Sequence, residues 1–327
     1  MHKTLFITSN TSNIHDEGKQ KTFKNIYKNY QTKFNSIACS LRGKKINDDH
    51  TIITANKFFI SCKLIKYIRS SDLSHILYVP SESLTIGTLI RILFLQFAKT
   101  NDTILCLLII QHNARNDISK KIISIILKNL KLKIISSSST LLNDYKEIDA
   151  KPILLGVNIE KYCRVSKEKK YNLRKKWNLD IDSKVVLHIG HLTNSRNLDD
   201  LIYLREKISN IKILIVASSF NANNDKKNIK EKLIKNNIIV FDDYINDINE
   251  IYQLSDYYIF MVENENGAIG CPLSILEAYS CELNIITKPF GLIPTFFSEE
   301  DLLYYKNKGE LLNYFKSDFN NSLLKNK

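Results

Sequence analysis

Along the chain, short unbroken apolar runs alternate with stretches whose apolar residues recur every three or four positions. TLFITS (4–9), TIIT (51–54), HILYVP (75–80), ILCLLII (104–110) and KIISSS (133–138) are of the first kind. Apolar runs without polar alternation predict strands covered on both faces. Helical patterns at 84–98 and 119–130 lie between them. The rhythm then restarts with KVVLHIG (184–190), IKILIVAS (211–218), NIIVF (237–241), DYYIFMV (256–262) and LNIITK (283–288). Helices near 197–208, 225–235, 247–254 and 272–281 separate these strands. The pattern predicts an α/β protein with two Rossmann-like domains, each built on a parallel sheet. The expected division is 1–157 and 158–308, with a short tail at 309–327 returning toward the first domain. In such sheets ligands bind beyond the carboxyl ends of the strands, so two facing sheets predict a site in the cleft between them.

Composition narrows the class. At 327 residues and 44% hydrophobic content the chain can bury two cores. Its six cysteines form no CxxC pair and show no metal-ligand spacing with the seven histidines, so they read as reduced thiols of a cytoplasmic protein. The opening MHKTLFITSN does not read as a signal peptide. The longest apolar stretch, 84–98, contains Arg91 and falls short of the roughly 20 residues a membrane span needs. Charge is lopsided: residues 1–157 carry 23 Lys and Arg against 11 Asp and Glu, while 158–327 carry 24 against 23. A basic first half points to an anionic partner, a membrane surface or nucleic acid. No basic motif interleaved with aromatics supports nucleic acid, so the expected location is the cytoplasm or the inner face of a membrane. The helix at 85–98 suits a core position or a bilayer interface, core being the better match to its pattern.

Two segments of the second half carry candidate chemistry. In IGCPLSILEAYSC (269–281), Pro272 suits the first helical position, where its missing N–H costs nothing. The helix start that follows a strand and a loop offers free N–H groups and a positive dipole end to a phosphate, with Leu273 and Ser274 in the first turn. Glu277, three residues after Ser274, leans back toward that start and can accept from a ribose diol. In HIGHLTNSRNLDDLI (188–202), Gly190 permits close backbone approach, Arg196 is a phosphate-binding fork and His191 a further donor. No Walker or GxGxxG pattern is present. The acidic DID at 180–182 and the pair Asp199 and Asp200 fall in a linker and at a helix start, where Asp caps, so no metal role is assigned.

Taken in order, these segments resemble the C-terminal domain of GT-B-fold retaining glycosyltransferases of family 4. GHLTNSRNLDDLI resembles the family's G-R-L-x-x-x-K-G-x-x-x-L-I. PLSILEAYSCELNIITKPFGLIP resembles its P-L-x-x-L-E-A-M-A-C-G-x-P-V-V-A-T-x-x-G-G-x-P, and ILLGVNIEKY its x-x-N-G-V-D-x-x-x-F. The resemblance implies a nucleotide-diphosphate sugar donor, a glycan or lipid-linked acceptor and no metal cofactor. It places Glu277 at the ribose and Arg196 on the family's diphosphate-binding Lys, with His191 replacing the neighbouring Arg. The family's E-x7-E has its first Glu at the donor sugar; Ile269 stands there, and Glu265 is the nearby substitute. His112, after the strand ILCLLII, falls where the family has a His touching the donor sugar. Gly18 is the candidate acceptor-side loop glycine. Because of Ile269, a non-catalytic nucleotide-binding partner subunit stands as the alternative to an enzyme.

Overall fold

The computed structural model describes residues 3–12, 18–80, 83–113, 117–217, 224–265 and 268–325. The chain divides into two compact units, Met1–Gly156 with Ile269–Cys271 and Val157–Ala268 with Pro272–Lys327.

The first unit runs β1 (Thr4–Thr8), α1 (Gly18–Gln31), β2 (Ser36–Ser40), β3 (His50–Ile52), α2 (Cys62–Ser70), β4 (His75–Tyr78), α3 (Ile86–Ala98), β5 (Ile104–Ile109), α4 (Asp117–Lys128), β6 (Leu132–Ser136), α5 (Ser139–Asp144) and β7 (Ala150–Pro152). Its seven strands lie in the order β3-β2-β1-β4-β5-β6-β7, every pairing parallel. The core gathers Leu5, Ile7, Ile76, Leu105, Leu107 and Ile109 from the central strands with Leu89, Ile92 and Leu95 from α3. All five apolar runs are strands. β2 and β7 are additional: SIACS and AKP are too short and too polar to stand out, and pairing with β1 and β6 makes them strands.

The second unit runs α6 (Lys167–Lys176), β8 (Lys184–Gly190), a 3-10 turn at Asn194–Arg196, α7 (Asp199–Lys207), β9 (Ile211–Ala217), α8 (Asn224–Lys235), β10 (Ile239–Phe241), α9 (Ile248–Leu254), β11 (Tyr257–Phe260), α10 (Leu273–Ser280), β12 (Asn284–Thr287), α11 (Ile293–Phe296), β13 (Leu303–Tyr304) and α12 (Lys308–Lys325). The parallel order is β10-β9-β8-β11-β12-β13. Winding outward from β8 and then returning to β11 makes the β8/β11 boundary the topological switch point, where a crevice opens beyond the strands' carboxyl ends. Residues 309–325 belong to α12, and Leu311, Leu312 and Phe315 join the core of this second unit.

At the opposite end of this sheet, α6 is fastened by charge. Its sequence KEKKYNLRKK has little apolar surface, yet Arg174 is only 7% exposed. Arg174 donates to Leu254 O at 3.0 Å, Ile181 O at 2.6 Å and Asp256 Oδ2 at 2.6 Å. Asp256 also accepts from Lys170 Nζ and Val185 N, each at 2.8 Å. Burial pushes the Asp256 carboxyl up, but Lys170, the Val185 N–H and Arg174 outweigh it and hold the group below its ordinary range.

Candidate functional site

β8 delivers the chain to the switch point at Gly190, and the 3-10 turn then brings Arg196 back over the strand. Asn197 closes this turn in the left-handed region at φ 50, a conformation that glycine or asparagine adopts at low cost, and its Nδ2 donates to Met261 O at 3.1 Å. The turn folds Arg196 inward. Its side chain is 7% exposed, and burial lowers the pKa of its guanidinium. Among the described residues the guanidinium meets no carboxylate, and its Nε has no hydrogen-bond partner. Gly190 makes the approach possible. A Cβ there would stand 3.1 Å from His188 Nε2 and 3.3 Å from Arg196 Nη1.

His188, two residues before Gly190 on the same face of β8, is fully buried. Its Nδ1 is 2.9 Å from Ile259 O, which fixes the tautomer with the proton on Nδ1 and a lone pair on Nε2. Nε2 is buried without a partner. Burial, with Arg196 beside it, lowers the imidazole pKa from 6.5 to about 4. Tyr258 of β11 stacks on the ring at 6.5 Å between centroids. Its phenol, raised by burial, faces Ser274, Arg196 and Ile189, and its hydroxyl has no hydrogen bond of good geometry. Three buried polar groups thus meet at one strand end: a guanidinium without a counter-charge among the described residues, a neutral imidazole and a phenol.

Through Tyr258 the group reaches the start of α10. Pro272 stands at the N-cap, one residue before the first helical position that its chemistry suggests, and no side chain caps the helix. Ile275 N turns back to Pro272 O at 3.2 Å, which leaves the N–H groups of Leu273 and Ser274 without an intrahelical partner. Glu277, 4% exposed, accepts from Tyr252 OH at 2.7 Å and lies beside the Tyr162 hydroxyl. Burial and Glu277 both push the Tyr252 phenol well above its ordinary value, so the proton stays on the tyrosine and the carboxylate accepts.

Gly190, Arg196, Ser274 and Glu277 are therefore gathered around the end of β8 and the start of α10. His191 follows, half-buried, and Glu265, 5% exposed, lies on the turn beyond β11. His112 and Gly18 belong to the first unit. His112 is buried with Nε2 3.6 Å from Asp144 Oδ2 and its ring edge-on to Tyr145, while Gly18 opens α1. His188 and Tyr258 escaped sequence reasoning because both lie inside strand runs and look like core residues. The signal for His188 is its two-residue spacing from Gly190.

A cavity of about 730 Å³ opens past the 3-10 turn between α7, α8 and the start of α12. Its lysines are paired: Lys232 with Asp199 at 2.7 Å, Lys288 with Glu263, and Lys308 with Asp200 at 3.8 Å. It lacks the uncompensated positive charge that Arg196 supplies at the end of β8.

The buried histidines predict acid sensitivity. His188 and His50 are both held near 4, against 6.5 for a free imidazole. The unfolded chain binds more protons in that interval, so stability is full above about pH 6.5 and is lost as the pH falls toward 4. His188 alone accounts for about 3 kcal/mol over this window. Urea midpoints across this range should fall in the wild type and fall less steeply in His188→Phe. Equal slopes would count against a neutral buried His188.

Residues 169–315 match the family model described as glycosyl transferases group 1. Among solved structures, the chain is similar to a glycosyltransferase from Rickettsia africae ESF-5, at 16% identity over 98% of this chain and 88% of that one, TM-score 0.74. It is similar to Anabaena HepE in complex with UDP-glucose, at 13% identity over 99% and 91%, TM-score 0.71. It is also similar to WaaG, a glycosyltransferase involved in lipopolysaccharide biosynthesis, at 11% identity over 96% and 90%, TM-score 0.63. No curated protein sequence matches the chain. At these identities the structural likeness is one of fold, and the fold is GT-B.

Proposed function

We propose that the chain, whose residues 169–315 form a glycosyl transferases group 1 domain, moves a sugar from a nucleoside diphosphate to a hydroxyl of a glycan or lipid-linked acceptor, with retention at the anomeric carbon. That the protein is a glycosyltransferase rests on this domain together with the GT-B fold. The observation that carries the donor assignment is Arg196: a buried guanidinium without an anionic partner among the described residues, set beside an uncapped helix start. A diphosphate supplies the missing charge, accepting from Arg196 and the first-turn N–H groups of α10. HepE, which shares the fold, is a UDP-glucose complex.

As the glycosidic bond breaks, negative charge builds on the leaving diphosphate. Preorganised donors in a water-poor site stabilise that charge without a metal, and we assign this role to Arg196 and the α10 terminus, with His191 alongside. The acceptor hydroxyl attacks the anomeric carbon from the face the diphosphate leaves, and its proton passes to the departing diphosphate oxygen. His112 and Glu265 are the proposed residues at the donor sugar, and Gly18 the proposed acceptor-side glycine. The basic first half suits an anionic lipid surface, placing the enzyme peripherally on a membrane from the cytoplasmic side; among the described residues no helix is long and apolar enough to cross one.

Glu277 tests the nucleotide half of this reading. Glu277→Gln keeps an acceptor for Tyr252 but removes the charge that a ribose diol would use. The KM for the donor should rise about tenfold to a hundredfold with little change in thermal stability. An unchanged KM would reduce Glu277 to a support for Tyr252 and Tyr162. The second reading, a partner subunit that binds nucleotide without turnover, draws on one observation: Ile269 occupies the position of an acid in the motif it resembles.

A further inference from the structure

α3 and α4 pack against each other on one face of the first unit's sheet, and both turn apolar residues outward. The inner side of α3 behaves as core, with Leu89, Ile92 and Leu95 at 2% exposure or less. Its outer side carries Ile86, Leu93 and Phe97 at 56%, 44% and 66% exposure. On α4 the outward residues are Ile118, Ile122 and Ile125, at 73%, 44% and 62%. The spacings, 86-93-97 and 118-122-125, put each set on one helix face. Six large apolar side chains are thus exposed on two helices that pack together, a grouping of the kind that marks an interaction site.

Charge around the patch selects its occupant. The guanidinium of Arg69 sits 5.6 Å over the Phe97 ring, Lys121 is exposed among the isoleucines, and Lys99 follows the end of α3. Asp117 is the one acidic residue in either helix. With 23 basic against 11 acidic residues in 1–157, a second copy of the same surface would be repelled. An anionic bilayer, by contrast, receives apolar side chains at its headgroup boundary and attracts the basic rim.

We infer that the α3–α4 face is a membrane-docking surface that seats Ile86, Leu93, Phe97, Ile118, Ile122 and Ile125 in the interface of an anionic bilayer. This gives the proposed peripheral location a physical contact and does not depend on the identity of the donor. An enzyme held this way acts on acceptors at the lipid surface while its nucleotide sugar arrives from solution.

The test is flotation of the full chain with vesicles of phosphatidylcholine alone or mixed with phosphatidylglycerol. The wild type should bind the anionic vesicles and release as salt is raised. Ile118→Ser with Ile122→Ser and Ile125→Ser, all at exposed positions, should weaken that binding about tenfold or more at an unchanged melting temperature. Leu93→Ser with Phe97→Ser, on the other helix, should do the same and keeps the test open if the first variant folds poorly. Wild-type binding by either folded variant, or equal binding to both vesicle types, overturns the inference. So does a wild type that ignores vesicles and self-associates until the serines disperse it. Thermal shift with UDP, read on the same variants, should be unchanged, so failure of docking and failure of the donor assignment are separately visible.

Discussion

Arg196→Met should lose donor turnover, with kcat/KM falling about a hundredfold to a thousandfold, while the protein folds as well as the wild type or better. The two halves of this expectation have one cause. A cation taken out of water without a counter-charge weighs against the folded state, and a hydrophobic side chain of similar length removes that burden. The same cation, fixed where a leaving diphosphate gains charge, is worth several kcal/mol to the transition state. Arg196→Lys keeps charge but not the planar fork, so it should recover only part of the rate. Kinetics with the donor, set beside thermal melts of both variants, separate the outcomes. Activity lost together with the fold would mean that Arg196 is structural.

Asp256→Ala should have the largest effect on stability, about 3–5 kcal/mol, because it strands charges that the fold has buried. Arg174 would keep its three carbonyl contacts at Leu254, Ile181 and Ser183 but lose its counter-ion, Lys170 would keep only the Ser255 carbonyl, and the Val185 N–H would lose its acceptor. A drop in urea midpoint at an unchanged m-value would record the loss. Asp256→Asn, which retains an acceptor for Val185 N, should fall between. A change below about 1 kcal/mol in Asp256→Ala would place this pair among ordinary surface ion pairs.

The two predictions sit at opposite ends of one sheet, and they differ in how far the sequence disclosed them. The strands were readable because a parallel sheet buries both faces: KVVLHIG is β8 residue for residue, and the ten apolar runs all became strands. That Gly190, Arg196, Ser274 and Glu277 lie around one strand end and one helix start was readable from a glycine after a strand, a polar loop and a proline-led helix. α6 was less so. Its helix depends on Arg174 reaching a carbonyl and a carboxylate some eighty residues away, and no local pattern encodes that. The partners of Glu277 were likewise hidden. Tyr252 and Tyr162 reach it from α9 and from the segment before α6, so a carboxylate that looks poised for a ribose also holds two phenols. His188 was disguised by its strand, where a buried histidine and a buried leucine occupy the same periodic position. The outward isoleucines of α4 were concealed for the opposite reason: in a helix this apolar, periodicity does not say which face meets solvent.

The most direct measurement is release of nucleoside diphosphate from UDP-glucose, ADP-glucose and GDP-mannose by purified protein, with and without lipid or glycan acceptors, in wild type and Arg196→Met. Release is expected from at least one donor, stimulated by an acceptor and reduced about a hundredfold or more in the variant. Nucleotide binding that Arg196→Met weakens, with no release from any donor, would contradict it and leave a protein that kept the nucleotide site without the reaction.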